Sequence, residues 1–406
     1  MNLRTSPSTN PDSLLPIAMR ITASKPVGFD PLGSNTRTTL PVETYKVLPI
    51  KSPEVIEQNL TFDLNPIQEI KLETFNLTDT AGILLPEERV SKCGKMVLPQ
   101  ADGTQLFKHI ERGSVKFGGL MECSSVWLCP ICAKKISERR RNEVTHAIDK
   151  HAEAGGETLL MSITNSHDRE YSLKTQVHQQ QRAMSRFTGS TATRKIYRKV
   201  GYLGSIRAWE ITHGDANGWH PHFHILLFVE SGVDKEKLQQ QLFKQWANAC
   251  RLAKLPAPNE EHGLRIDGGD KAGAYITKWN LSHEVTKGHI KKGQKKSRTP
   301  FDLLREYHRT GDKRSGALFV EYAAVFKGKR QLYWSPNLKK HFKIQELTDK
   351  EISDKKQDEQ YVFIGRISRP DWKLVLKYGK RFDVLVIAEL YGMDGVKQLL
   401  DKLRKR

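Results

Sequence analysis

Residues 204–228, GSIRAWEITHGDANGWHPHFHILLF, leave little freedom in how they can fold. Two alternating runs flank the turn sequence GDANG, which is the pattern of an antiparallel hairpin. In the second arm His220, His222 and His224 occupy every second position, so on a strand they share one face while Phe223, Ile225 and Leu227 take the other. Neighbouring imidazoles are then roughly 6.6 Å apart at Cα, close enough for two rings to converge on one cation. The segment from Trp219 to Glu230 is apolar on both faces, as a central strand requires.

The turn also fixes the register. With His213 opposite Trp219, Glu210 falls opposite His222 on the same face, and His213 faces away. A carboxylate inside AWEIT is costly in an apolar strand, yet here it would meet two imidazoles, with which it could share a metal ion. Two histidines and one carboxylate leave open positions on an octahedral ion for water and substrate oxygens. The same donor set resembles the facial triad of non-haem iron oxygenases, so it does not name the metal by itself. The 66 Lys plus Arg against 46 Asp plus Glu, a net charge of +20, point to a polyanionic partner and tilt the reading towards phosphate chemistry with magnesium or manganese.

A phosphate bound to such a cation needs an attacking oxygen. DKAGAYITKWN, residues 270–280, offers Tyr275 on what reads as a short helix, and Lys278 three positions on shares its face. The lysine can stabilise a phenolate or the charge on a phosphorane. Without the histidines, Tyr275 and Trp279 would read as ordinary core cover. The next segment, VTKGHIKKGQKKSR, supplies Lys287, Lys291, Lys292, Lys295, Lys296 and Arg298, a run suited to gripping a DNA backbone or to plain solvation.

Four of the five cysteines, Cys93, Cys123, Cys129 and Cys132, fall within forty residues, and the last two form the knuckle CPIC. That spacing lets two thiolates grip one metal, and in a reducing compartment it favours a structural zinc over disulfides. His109 is a substitute ligand for this site. Cys250, alone in an amphipathic helix, reads as a small buried side chain.

The chain divides into a polar, poorly ordered tail over 1–87, a cysteine-rich zinc module with a basic helix over 88–155, a catalytic domain over 156–345 and a C-terminal helical region over 346–406. Strands over 157–164, 204–213 and 219–230 alternate with helices over 172–187 and 234–253. The order suits an α+β fold with a central, largely antiparallel sheet flanked by helices. No apolar run approaches a spanning helix and the first twenty residues lack a secretory core, so no membrane partner is expected and a cytoplasmic address is the default.

The ordered set LLMSIT, AWEIT, GWHPHFHILLF and AYITKW is similar to rolling-circle plasmid replication initiators, the Rep proteins of the HUH endonuclease superfamily. The His-hydrophobe-His motif is met by His222-Phe223-His224. ECSSVWLCPICAKKI resembles the cysteine-bearing segment before this domain, and RQLYWSPNLKK resembles the end of the catalytic region, so the resemblance covers roughly residues 88–345. It implies an HUH-type domain, a divalent cation on His222, His224 and Glu210, and attack on DNA by Tyr275. It also implies a metal-dependent single-strand endonuclease that nicks and rejoins origin DNA through a 5′-phosphotyrosine, leaves a 3′-OH primer, and works with a host helicase and polymerase. Some relatives carry a glutamate four residues before the tyrosine, where this chain has Lys271; Asp267, Asp270 or Glu284 could activate water in its place. His220 is a supporting group, a ligand or neither. The alternatives are a transposase of the same chemistry and a non-catalytic, zinc-bearing DNA-binding regulator whose histidines are structural.

Overall fold

The computed structural model describes residues 64–167, 169–269, 297–354 and 360–406. Along the chain these form α1 (Pro66–Leu84), β1 (Gly103–His109), β2 (Val115–Gly118), α2 (Pro130–Glu153), β3 (Gly156–Ile163), α3 (Leu173–Gly189), α4 (Thr191–Lys199), β4 (Gly204–Gly214), β5 (Gly218–Glu230), α5 (Lys235–Leu252) and β6 (Leu264–Asp267). Then follow β7 (Ser297–Arg298), α6 (Pro300–Thr310), α7 (Lys313–Phe326), β8 (Leu332–Trp334), α8 (Leu338–His341), α9 (Asp349–Asp354), β9 (Tyr361–Ser368), α10 (Arg369–Lys377) and α11 (Arg381–Arg404). The α+β class and the largely antiparallel sheet flanked by helices are as expected.

The larger sheet has the order β6-β3-β5-β4-β7, with β8 also beside β4, and every pairing is antiparallel. β5 is central because both of its faces can be buried. On one face Trp219, Phe223, Ile225 and Leu227 join a core with Phe187 of α3, Trp246 of α5 and Phe326 of α7. The Trp209 and Phe223 rings are 3.9 Å apart between centroids, so truncating Phe223 to Ala would cost about 3–5 kcal/mol. The opposite face is divided. Leu226 and Phe228 are covered by Val144 and Ala147 of α2 and by Leu338 and Phe342, whereas His220, His222 and His224 stay half-buried.

Two expectations are corrected. Residues 66–84 belong to a helix, not to a tail; the remainder of the expected tail, 1–63, lies outside the described residues. Asn65 caps α1 in a capping box with Gln68, and Pro66 follows at its first turn. Its buried face is built largely from Thr74, Thr78 and Thr80, whose hydroxyls donate to carbonyls four residues back at 2.7–2.9 Å. A threonine satisfied in this way can be buried, so a count of apolar periodicity overlooks the helix.

The second correction concerns 346–406, which is not a purely helical appendage. β9 pairs with β1 to complete a three-stranded sheet, β2-β1-β9, with strands drawn from two of the expected domains. Leu106, Val115 and Ile367 share a separate core with Trp372, Val384 and Leu400 of α10 and α11. Among the described residues, no helix is long and apolar enough to cross a membrane.

Candidate functional site

The β4–β5 ladder places Glu210 opposite His222 and His213 opposite Trp219, the register argued from the turn. Glu210 Oε2 lies 2.8 Å from His224 Nε2 and 3.6 Å from His222 Nε2. One donor atom from each of the three residues falls within 4.8 Å of the others, so the group could hold a metal ion. Cis ligands on an octahedral ion with bonds of ~2.1 Å stand about 3 Å apart, between the two observed separations.

The imidazoles are aimed by the atoms behind them. His222 Nδ1 donates to the carbonyl of His220 at 3.2 Å, and His224 Nδ1 lies 2.9 Å from the hydroxyl of Ser162. Ser162 stands opposite His224 in the β3–β5 ladder. With each Nδ1 held by a partner behind it, each Nε2 is the ring atom left facing Glu210, the one a metal would take from each imidazole. Burial pushes the Glu210 carboxyl up, but hydrogen bonds and charge from His222 and His224 outweigh it and hold the group well below the usual carboxylate range.

His220 stands apart from this group. Its Nε2 is 2.6 Å from Thr164 Oγ1, and its ring stacks on His167 at 4.4 Å and on His222 at 4.7 Å. Burial, then the neighbouring imidazoles of His222 and His167, lower its pKa to about 3, so it is a neutral packing group beside the donors. Ser162, Thr164 and His167 were not singled out from sequence. The available signal was the pair of hydroxyls in LLMSIT, Ser162 and Thr164, at the end of an otherwise apolar strand.

Cys93, Cys123, Cys129 and Cys132 are all buried and unbridged. Cys93 Sγ lies 3.6 Å from the sulfurs of Cys132 and Cys129, and Cys123 Sγ lies 3.7 Å from that of Cys132. A tetrahedron with metal–sulfur bonds of ~2.3 Å has edges of about 3.8 Å, so the four thiols fit one ion. Local structure explains the knuckle. Cys129 caps α2, with Pro130 next, and its sulfur accepts from the Cys132 amide at 3.5 Å. His109 does not substitute in this site: its Nε2 meets Gln360 at 3.0 Å and its Nδ1 accepts from the amides of Glu111 and Arg112. Cys250 is buried in α5, and burial pushes its thiol up to about 12.

Tyr275, Lys278, Lys271, Asp270, Glu284 and the lysines at 287, 291, 292, 295 and 296 lie outside the described residues. Asp267 ends β6, where its Oδ1 accepts from Arg265 Nε at 3.2 Å. Arg298, the last cation of that basic run, lies among the described residues. Its guanidinium pairs with Asp215 in the hairpin turn at 2.6 Å and with Glu306 of α6 at 2.5 Å, so it ties the turn to the helix.

The family pattern described as "Replication protein" matches residues 121–373. A curated "Protein rep" of Streptomyces lividans is 28% identical over 54% of this chain and 63% of its own length. A "Neomycin resistance protein" of Streptomyces cyanogenus is 28% identical over 48% of this chain and 53% of its own, and a "Protein rep" of Lentilactobacillus hilgardii is 28% identical over 48% and 60%. The chain thus spans between about half and two thirds of the length of these relatives. No solved structure matches. The matched stretch takes in the cysteine knuckle, the β4–β5 hairpin and every strand of the larger sheet, and by that match over more than half of its residues the chain belongs to the replication protein family.

Proposed function

We propose that the chain is a plasmid replication initiator that nicks and rejoins one DNA strand at its origin. The observation that carries this reading is the convergence of Glu210, His222 and His224 on the uncovered half of a sheet face, in a chain of the replication protein family. A bound magnesium or manganese ion would supply Lewis-acid polarisation of the scissile phosphodiester. Glu210 is ionised at neutral pH, and its carboxylate with the Nε2 atoms of His222 and His224 would hold the ion.

Tyr275 is the nucleophile. Its phenolate oxygen forms a bond to phosphorus while the bond to the 3′ oxygen breaks, and that oxygen takes a proton to become a primer 3′-OH. Attack by a 3′-OH on the phosphotyrosine reverses the step and rejoins the strand. Lys278 stabilises the phenolate and the charge on the phosphoryl oxygens. Asp267, Asp270 and Glu284 are candidates for activating water at termination, in place of the residue that Lys271 replaces. The DNA is unpaired at the nick, and the lysines between 287 and 296 grip its backbone. The four cysteines hold a structural zinc, and a host helicase and polymerase extend the primer in the cytoplasm.

The test is a covalent adduct between the protein and labelled single-stranded oligonucleotides from its own replicon, formed with manganese. The adduct is expected with the wild-type chain and absent in Tyr275→Phe, His222→Ala and His224→Ala. Persistence in Tyr275→Phe would remove that residue as nucleophile, and failure with every segment of the replicon would overturn the enzyme reading.

A further inference from the structure

The three-stranded sheet carries a face that its own core does not use. Its inner face buries Leu106, Val115 and Ile367 to 2% exposure or less against α10 and α11. On the outer face Lys116, Phe107 and Phe363 stand in one cross-strand row, and Gln105 with Arg366 in the next. The solvent face of an antiparallel sheet is ordinarily polar, yet here the centre of the row is aromatic. Phe363 is 54% exposed and meets the Phe107 ring at 5.8 Å between centroids. The Phe107 ring also lies across Gly118, where an added Cβ would come within 2.5 Å of its Cε2, so the glycine lets the ring rest on the sheet.

Cations frame these rings. Lys116 Nζ sits 3.4 Å from the centroid of the Tyr361 ring on β9. Arg366 pairs at 3.0 Å with Asp102, and both side chains reach solvent, so the pair is weak and readily exchanged for another anion. Exposed aromatic rings interleaved with Lys and Arg match the chemistry of unpaired nucleic acid, in which bases stack on side chains and phosphates meet cations. A duplex keeps its base faces stacked on one another and would leave the aromatic row unused.

We propose that the outer face of β2-β1-β9 binds single-stranded DNA, with bases stacked on Phe363 and Phe107 and phosphates held by Arg366 and Lys116. This surface is separate from the metal-binding group and rests on the chemistry of the smaller sheet, not on the nicking reaction. It gives a replication protein a second hold on a melted strand.

The test uses the full chain carrying Tyr275→Phe, so that no covalent product forms, and reads fluorescence anisotropy of a labelled oligothymidine. Phe363→Ala is expected to weaken binding by about fivefold or more, as loss of one stacked base does, while Phe363→Trp keeps the affinity. Arg366→Gln is expected to lower the slope of log affinity against log salt by about 0.7, the value for one phosphate on a single strand. Unchanged affinity in Phe363→Ala overturns the proposal. So does unchanged affinity together with loss of a dimer in sedimentation equilibrium, which would make the face a contact between copies of the chain. Adduct formation by the chain with Tyr275 intact is scored separately: its failure counts against nicking and leaves the affinity comparison standing.

Discussion

Ser162→Ala isolates how the sheet aims a donor at the candidate metal centre. The Ser162 hydroxyl lies 2.9 Å from His224 Nδ1, and the other nitrogen of that ring lies 2.8 Å from Glu210 Oε2. Removing the hydroxyl deletes one hydrogen bond, worth about 1 kcal/mol, and frees the ring to take the tautomer whose proton is on Nε2. Both effects weaken a metal ligand. Affinity for manganese should fall by about tenfold, the lower end of the range for losing a partner behind a ligating histidine. The assay is calorimetric titration of the protein with manganese, run beside His224→Ala, which should lose the site altogether. Ser162→Thr keeps a hydroxyl on the same strand position and should restore most of the affinity. Binding by Ser162→Ala as tight as wild type, or by Ser162→Thr as weak as Ser162→Ala, would refute the argument that this hydrogen bond sets the ring.

Two further outcomes follow from the same geometry. Cys129→Ser removes one ligand of the buried cysteine group, so metal analysis should show about one zinc per chain in the wild type and its loss in the variant, together with a lower thermal midpoint; a zinc-free wild-type preparation that remains fully folded would sink the structural role. His213 is buried and faces Arg298 and Arg314, with Asp215 and Arg169 also near; burial first, then those arginines, lower its pKa from 6.5 to about 4. The unfolded chain therefore binds more protons between those values, so this contribution to stability is fully present above pH 6.5 and is lost as pH falls towards 4. Urea midpoints should drop less steeply over that window in His213→Gln than in the wild type, and an identical slope would show that another group titrates.

The hairpin was legible because a short turn leaves one register, and parity then sorts every side chain of both arms between two faces. That was enough to bring Glu210 to His222 before any coordinates. The cysteine group was legible because CPIC is a local device, and the distant Cys93 joins it by following the short turn Arg89–Lys92 into the same core. What sequence could not show depends on partners far along the chain. Ser162 matters only once β3 is known to pair with β5, and His167 only once its ring is seen to stack on His220. β9 is a strand because β1, some 250 positions earlier, offers it an edge. The ion pairs of Arg298 likewise depend on Asp215 and Glu306, which only the folded hairpin and helix bring to it.

His220, His222, His224, Leu226 and Phe228 all share one parity of β5, so a single alternation serves two purposes. Beyond His224 the same face becomes dry, with Leu226 and Phe228 packed beneath α2 and the short helix α8. The change from donor to core takes one strand step, so the donors cannot move independently of a packed interior. β5 is also paired with β3 and β4 on its two sides, and the ladders fix the backbone at Glu210, His222 and His224 before any ion arrives. Ligand geometry set in this way costs little to organise on binding, because the rotamers and backbone are already held by packing and by Ser162. The central position of the strand, which from sequence looked like a demand of its apolar end alone, is equally a demand of its histidine end.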